Sequence, residues 1–287
     1  MTTTIDAITR GRAVERVQAG IPTSDGAGVK LTRVLTQPLQ RRLDPFLMLD
    51  AFGTDNPEDY IAGFPDHPHR GFETVTYMLD GRMRHRDNHG NSGLLESGSV
   101  QWMTAGRGIV HSEMPEQEQG LMRGFQLWVN LAAKDKMTQP RYQDIAPEKI
   151  PTAEPVPGVK VRVVAGDMFG VRGPVDGIAI APVYLDIALE PGATLSVPLP
   201  EAHSAFAYVF EGDAVQVGAE TLGLRELGVL SKGDAVELAV GKDAQAARVL
   251  LVAGRPLDEP VARYGPFVMN TPEQIVQAMQ DYQAGRF

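Results

Sequence analysis

Short apolar runs separated by turn signals cover residues 30 to about 130, and helical periodicity is hard to find among them. The run from Phe72 to Leu79 is rich in β-branched and aromatic residues. It ends at Asp80-Gly81, a pair typical of tight hairpins, and Arg82 to Asp87 then has the pattern of the returning strand. The 30 glycines and 21 prolines of the chain fit such frequent turns. This pattern predicts an all-β fold.

A second strand-rich block resembles the first. Tyr208 to Gly212 matches the turn from Tyr77 to Gly81, and Gly233-Asp234 is matched to Gly98-Ser99. The two halves are therefore interpreted as copies of one barrel, and 287 residues are enough for two domains. The proline-bearing segment 144–158 is predicted to be a linker, which places the domains at 1–143 and 159–287.

The tail of the chain predicts the clearest helix. Thr271 is a suitable N-cap, Pro272 occupies the first helical position, and Gln274 completes a capping box. The helix carries one apolar stripe, made of Ile275, Ala278, Met279 and Tyr282. Such a stripe favours docking on a barrel over binding of a separate partner.

Composition excludes several classes of site. The chain has no cysteine, so disulfides, iron–sulfur clusters, thiolate zinc sites and thiol nucleophiles are all excluded. A formal net charge of -9 argues against direct nucleic-acid binding. The basic stripe Arg82, Arg84 and Arg86 is interpreted as a solvated strand face.

Residues 1–17 lack the apolar core of a secretory signal, and no apolar run reaches the roughly 20 residues of a membrane span. We expect a cytoplasmic protein without membrane contact.

Five of the six histidines, at positions 67, 69, 85, 89 and 111, fall within 45 residues. His67-Pro68-His69 places two imidazoles on one face of a strand, and His111-Ser112-Glu113 repeats that spacing with a carboxylate. Together the two pairs supply three nitrogens and one oxygen, which suits a six-coordinate divalent metal with two open positions. Iron, manganese, nickel, copper and zinc all accept such ligands. Glu73 is the main competitor of Glu113 for the oxygen position.

The remaining histidines are predicted to have other roles. His85 and His89 are expected to line the mouth of the barrel or to be solvated, and His203 is expected to be structural. The two turn matches align Pro198 and Pro200 with the first histidine pair, and Ala246 and Arg248 with His111 and Glu113. By this alignment the second barrel lacks metal ligands.

The segments HPHRGFETVTYMLDG (67–81) and GSVQWMTAGRGIVHSEMP (98–115) resemble the motifs of the pirin family. The likeness continues at Gln126 to Leu131 and in GPFVMNTPEQI (265–275). The resemblance implies a bicupin, meaning two double-stranded β-helix (jelly-roll) barrels of which the second is degenerate. It also implies one divalent metal, typically Fe(2+), held by His67, His69, His111 and Glu113, which favours Glu113 over Glu73.

The same resemblance implies a reaction. Many bacterial pirins are similar to quercetin 2,3-dioxygenases, which cleave flavonols with O2, and Glu113 would then be the catalytic base. Phe64, Arg70 and Gln126 flank the ligands and are predicted to bind substrate. Three further residues are candidates for the pocket or the core: Phe72, Trp102 and Met103.

Two alternatives use the same metal site. Other pirins are co-regulators of transcription, so the chain could be a redox-responsive metal protein that binds a protein partner without turnover. The second alternative is a cupin isomerase or another enzyme acting on a small acid. Residue patterns leave these three open, because substrate choice depends on the shape of the pocket.

Overall fold

The computed structural model describes residues 10–287, so residues 1–9 of the segment predicted to lack a secretory signal lie outside the described residues. The described chain forms two compact units. The first barrel contains Gly20–Ile150, Gly177–Ala179 and Leu257–Phe287. The second barrel contains residues 10–19, Pro151–Asp176 and Ile180–Pro256.

Strands dominate both units, as the alternation of short apolar runs and turns predicts. The first twelve in chain order are β1 (Val14–Ala19), β2 (Ile21–Asp25), β3 (Val29–Leu35), β4 (Phe46–Thr54), β5 (Phe64–His69), β6 (Phe72–Asp80), β7 (Met83–Asp87), β8 (Ser92–Leu95), β9 (Val100–Thr104), β10 (Ile109–Pro115), β11 (Met122–Asn130) and β12 (Arg141–Ile145). The others are β13 (Thr152–Ala153), β14 (Val159–Ala165), β15 (Asp167–Met168), β16 (Val171–Arg172), β17 (Val183–Leu189), β18 (Thr194–Pro198), β19 (Ser204–Glu211), β20 (Ala214–Val217), β21 (Glu220–Gly223), β22 (Glu226–Leu230), β23 (Ala235–Ala239), β24 (Ala247–Gly254), β25 (Ala262–Tyr264) and β26 (Phe267–Met269).

Each unit pairs a seven-stranded sheet with a four-stranded sheet. In the first barrel the strand orders are β12-β9-β6-β11-β4-β3-β2 and β5-β10-β7-β8. In the second they are β1-β22-β19-β24-β17-β14-β13 and β18-β23-β20-β21. The orders correspond strand for strand, so β5 and β10 have their counterparts in β18 and β23. The prediction of an all-β fold built from two copies of one barrel is confirmed.

The interior of the second barrel is filled with aliphatic side chains. Leu185 and Ile187 of β17 and Val249 and Leu251 of β24 are all completely buried within one apolar cluster. The first barrel has apolar clusters of its own and, in addition, a cavity. The two barrels therefore share a topology but use their interiors differently.

Two helices are formed, α1 (Gln37–Gln40) and α2 (Pro272–Gln283). The predicted capping box is present in α2, where Thr271 and Gln274 exchange side-chain and backbone hydrogen bonds. Ile275 and Ala278 are buried against Phe267 and Met269 of β26. In the part of the chain that the structure describes, neither helix is long and apolar enough to cross a membrane.

The compact units differ from the predicted domains at both ends of the chain. Residues 10–19 belong to the second barrel, and Leu257–Phe287 belongs to the first. The predicted linker contains the end of β12, a 3₁₀ turn at Pro147–Lys149 and β13, and the units meet in sequence at Ile150 and Pro151. Strand β1 belongs to the second barrel because it pairs with β22 along its length. Helix α2 belongs to the first barrel, since β26, on which it packs, is part of that unit.

Candidate metal centre

Three histidines meet on the inner face of the four-stranded sheet of the first barrel. Strands β5 and β10 are antiparallel, and their register places His111 directly opposite His67. Paired residues on neighbouring strands point to the same face, and His69 shares that face because it follows His67 by two residues. The two predicted motifs are thus brought together by one strand pair.

The three imidazoles are close enough to bind one ion. Their ligand nitrogens all lie within 4.8 Å of one another. The ring centroid of His67 is 4.7 Å from that of His69 and 4.5 Å from that of His111. His69 and His111 are 3% and 0% exposed, whereas His67 is half-buried and borders the cavity. Two of the three imidazoles are therefore buried, and His67 and His69 both border the cavity.

The hydrogen bonds of these imidazoles fit a metal. His67 Nδ1 lies 2.8 Å from the carbonyl oxygen of Pro65, which leaves Nε2 as the nitrogen available to an ion. Nδ1 of His69 and both ring nitrogens of His111 are buried without a hydrogen-bond partner. Buried polar atoms are rarely left unpaired in a folded protein unless an ion or water satisfies them. The donor set is that of a divalent first-row ion.

Burial also favours the neutral, metal-binding form of these rings. Burial lowers the pKa of His111 to about 4, and the charge of Glu113 opposes this shift. Burial, with the neighbouring His111 and His67, lowers the pKa of His69 well below its ordinary value. Because only neutral imidazole binds a metal, both rings are ready for coordination at neutral pH.

Glu113 lies on the same face of β10 as His111, and it is 1% exposed. Its carboxylate accepts hydrogen bonds from Gln126 Nε2, at 3.0 Å and 2.9 Å, and from the Thr76 hydroxyl at 3.1 Å. The carboxylate does not belong to the group of three mutually close histidine nitrogens. In this structure Glu113 is thus a buried carboxylate beside the histidines, held by two neutral donors.

A cavity of about 560 Å³ extends from the histidines, and His67 and His69 form part of its wall. Residues of the seven-stranded sheet form much of the rest, several of them spaced by two in keeping with the two-residue period of strands. They are Leu31 and Arg33 of β3, Met48, Asp50 and Phe52 of β4, Thr76 of β6, and Gln126 and Trp128 of β11. A volume of this size suits a ligand of two or three rings.

Two family models match the sequence of this chain. The family model for pirin matches residues 28–129, and the model for the pirin C-terminal cupin domain matches residues 184–287. The chain belongs to the pirin family. Both units of this pirin are therefore cupin domains, which confirms the bicupin fold.

Relatives and solved structures agree with that membership. A pirin-like protein of Caulobacter vibrioides is 52% identical over 277 residues, which cover 96% of this chain and 99% of the relative. The crystal structure of a quercetin 2,3-dioxygenase from Acinetobacter baumannii superposes with a TM-score of 0.90 at 33% identity, covering 96% of this chain and 98% of that one. A bacterial pirin from Escherichia coli in complex with nickel(II) has the same fold, with a TM-score of 0.63 at 18% identity, covering 86% and 96%.

Two of the three predicted substrate-binding residues line the cavity of this pirin, namely Phe64 and Gln126. Arg70 does not line it. Its guanidinium donates to the carbonyl of Arg107, pairs with Asp281 at 2.7 Å and stacks on Phe287 at 4.3 Å. The prediction for Arg70 used its position beside the ligands in sequence, whereas its side chain is buried under the C-terminal segment.

The further candidates lie in the core. Phe72, Trp102 and Met103 are at most 1% exposed and do not line the cavity. Glu73 accepts a 2.6 Å hydrogen bond from Thr104 and lies outside the histidine group. His85 is 2% exposed, so the expectation that it lines the mouth or is solvated is wrong. Its Nε2 lies 3.4 Å from Asp144, whereas His89 is exposed as expected.

Sequence reasoning missed the charged residues of the cavity wall. Arg33 donates to both carboxylate oxygens of Asp50, at 2.9 Å and 2.8 Å, and to Asp25 at 3.1 Å. The bond with Asp50 raises the pKa of Arg33, so this guanidinium keeps its charge. Arg263 of β25 lies over the ring of Trp128 at 4.9 Å. For Arg33 and Asp50, the sequence feature that indicates a buried charge is Asp50 itself, which interrupts the apolar run of β4. The sequence around Arg263 contains no feature that indicates its place in the cavity wall.

The second barrel has aliphatic residues where the first has ligands. Its β23 presents Val236 and Leu238 inward, in the strand that corresponds to β10, and Val197 of β18 pairs with Val236. The predicted correspondence of Ala246 and Arg248 with His111 and Glu113 is wrong, because Ala246 precedes β24 and Arg248 lies within it. The conclusion drawn from it, that this barrel lacks the ligand set, agrees with the residues on β18 and β23.

Proposed function

We propose that this pirin is a metal-dependent dioxygenase that cleaves flavonols with O2, as a quercetin 2,3-dioxygenase does. The observation that carries the proposal is the three-histidine group in the wall of a cavity of about 560 Å³. The fold of the Acinetobacter quercetin 2,3-dioxygenase, matched over 96% of this chain, supports it.

His67, His69 and His111 would hold one divalent ion, for which Fe(2+) is proposed, with Glu113 as the fourth ligand. Nickel, bound by the Escherichia coli pirin, and manganese, copper and zinc suit the same ligands. A divalent ion supplies Lewis acidity, which lowers the pKa of a hydroxyl coordinated to it. The remaining steps depend on side chains of the chain itself.

Glu113 is the proposed base. Its carboxylate is buried and lies on the same strand face as His111, so it can accept the proton of the flavonol 3-hydroxyl. Gln126 and Thr76 donate hydrogen bonds to this carboxylate and fix its orientation. O2 then adds to the deprotonated ring, the two carbon–carbon bonds at C3 break, and C3 leaves as carbon monoxide. Both atoms of O2 remain in the ring-opened ester.

The cavity wall suits a planar, largely apolar substrate. Phe64 and Gln126 border it, as do Met48, Phe52 and Trp128. The aromatic and aliphatic faces would contact the flavonol rings, while the amide of Gln126 lies where the polar edge of the substrate meets Glu113.

The experiment is anaerobic loading with Fe(2+), followed by oxygen uptake and carbon monoxide release with quercetin. The proposal expects one O2 consumed and one carbon monoxide released for each quercetin lost. A panel of unrelated diketones serves as the specificity control. If the fully loaded protein releases no carbon monoxide, the dioxygenase proposal is rejected. The hypothesis of a metal protein that binds a protein partner without turnover would then take its place.

A further inference from the structure

Arg263 is the one arginine of the cavity wall, within the described residues 10–287, that has no carboxylate partner. The other arginine of that wall, Arg33, is held by Asp50 and Asp25. The guanidinium of Arg263 has a single hydrogen bond, a marginal one of 3.5 Å from Nε to the carbonyl oxygen of Gly265. Its terminal nitrogens are donors facing a cavity with no acceptor engaged.

Its position is fixed by aromatic contacts. The guanidinium lies over the Trp128 ring at 4.9 Å, and that ring is 5.3 Å from the ring of His69. Trp128 also packs on Phe72 at 4.3 Å, so the platform under Arg263 is part of the core. Arg263 is therefore held one indole ring away from the histidine group, on the wall of the same cavity.

Burial and the nearby charge of Arg33 act against this cation. Both lower the pKa of Arg263, with burial as the larger cause. Arg263 is an exposed residue that borders the cavity. The charges of Asp50 and Asp25 oppose this shift, but both carboxylates bond to Arg33. The donors of Arg263 therefore remain available to a bound anion. Guanidinium donors form strong, directional bonds with carboxylates.

We propose that Arg263 selects substrates that carry a negatively charged oxygen at the end remote from the histidine group. The ligand class is a planar aromatic hydroxyketone with a carboxylate or an ionised phenol at its far end. This inference rests on the proposed function for the hydroxyketone end alone. The negative charge at the far end of the ligand is inferred from Arg263 and Trp128.

Two isosteric probes test the proposal, 3-hydroxyflavone-4′-carboxylate and its 4′-carboxamide. Binding is measured without O2 by quenching of the protein's tryptophan fluorescence, so no turnover is needed. Wild-type protein should bind the carboxylate at least about tenfold more tightly than the carboxamide, as expected for a charged hydrogen bond. Arg263→Gln should bring the ratio close to one, and Arg263→Lys should keep part of it.

Arg82→Gln is the matched control, because it removes the same charge from an exposed position outside the cavity wall. It should leave the ratio unchanged. An unchanged ratio in Arg263→Gln would overturn the proposal and leave Arg263 as a clamp on Trp128. A wild-type ratio near one would overturn it as well. Absence of carbon monoxide release from quercetin would reject the dioxygenase activity but not the charge preference, so the two failures are distinguishable.

Discussion

Buried imidazoles without partners are costly unless something binds them, and this holds for His69 and His111. We therefore expect His67→Ala, His69→Ala and His111→Ala each to lower metal content from about one ion per chain to nearly none. Elemental analysis of the purified proteins measures this. The metal-free variants should melt close to the metal-free wild type, since His69 and His111 carry unsatisfied buried nitrogens and His67 loses a single contact with the Pro65 carbonyl oxygen. His89→Ala, at an exposed position, is the control and should keep its metal.

Full metal content in any of the three variants would remove that histidine from the ligand set. Unfolding of a variant at ambient temperature would point instead to a structural role of the ion. Neither outcome is expected, because the barrel has apolar clusters of its own.

Glu113→Gln separates proton transfer from binding. Glutamine keeps the size of the side chain and one coordinating oxygen, but it cannot accept the flavonol proton. Turnover at equal metal occupancy should fall by about 10²–10⁴-fold, while the quercetin dissociation constant changes little. Stopped-flow oxygen consumption and anaerobic titration measure the two quantities. A loss confined to affinity, with turnover preserved, would show that Glu113 is not the base.

At the scale of elements, Lys136 joins three segments around the first barrel. Its ammonium is 1% exposed and donates to the carbonyls of Gly71 and Val268, at 2.7 Å and 3.0 Å, and to Asn130 Oδ1 at 2.6 Å. These contacts tie the turn after β5 to the end of β11 and to β26. Burial lowers the pKa of Lys136 to about 7, although the charge of Glu259 opposes the shift.

This pKa predicts a pH dependence of stability. Below pH 7 the ammonium is charged in both states, so the cost of burying it is fully present. Between pH 7 and about 10.4 the unfolded chain holds a proton that the folded chain releases, so stability rises with pH. The unfolding free energy of wild type relative to Lys136→Met should rise by up to about 1.4 kcal/mol per pH unit from pH 7 to 9. Urea denaturation at several pH values measures it.

The exposed Lys134 supplies the control, since Lys134→Met should give a difference from wild type that does not vary with pH. If the difference in unfolding free energy between wild type and Lys136→Met also does not vary with pH, the three acceptors keep Lys136 charged throughout this range.

Local signals predicted the elements well and their long-range partners poorly. The capping box at Thr271 depends on neighbours in sequence and is present. Strands β6 and β7 do flank Asp80-Gly81, but the prediction that they form a hairpin is wrong, because they belong to different sheets and do not pair. The histidine motifs worked because a two-residue spacing decides which face of a strand a side chain occupies. The pairing of Arg70 with Asp281 and the place of Arg263 in the cavity depend on chain segments about 200 residues away, which no local pattern reports.

At the scale of the whole molecule, the exchange of the chain ends explains the faulty alignment of the second barrel. Gly233 was matched to Gly98 as a turn glycine. In the structure Gly233 lies where residues 10–12 cross the barrel, and a Cβ there would sit 2.5 Å from the Arg10 carbonyl oxygen and 2.9 Å from Arg12 Cγ. Gly233 allows two distant segments to approach closely. Interpreting it as a turn glycine equivalent to Gly98 therefore places β23 at the wrong position in the alignment.

Arg12 is the anchor of that crossing. It is 3% exposed, and its guanidinium donates to the carbonyls of His203 and Ser231, both at 3.0 Å, and of Pro200 at 2.7 Å. The start of the chain therefore stabilises the second barrel, and the same crossing precedes β1, which covers the edge of β22.

Arg12→Met should destabilise the second barrel by several kcal/mol, because each buried carbonyl left without a donor costs about 1–3 kcal/mol. Arg16→Met removes an exposed arginine from the same segment and should stay within about 0.5 kcal/mol of wild type. Hydrogen exchange followed by mass spectrometry locates the effect. Peptides from β19 and β22 should lose protection in Arg12→Met, while those from β6 and β10, and the metal content, should match wild type. Equal loss in both barrels would show that the two units unfold as one, and no loss in either would show that Arg12 is dispensable.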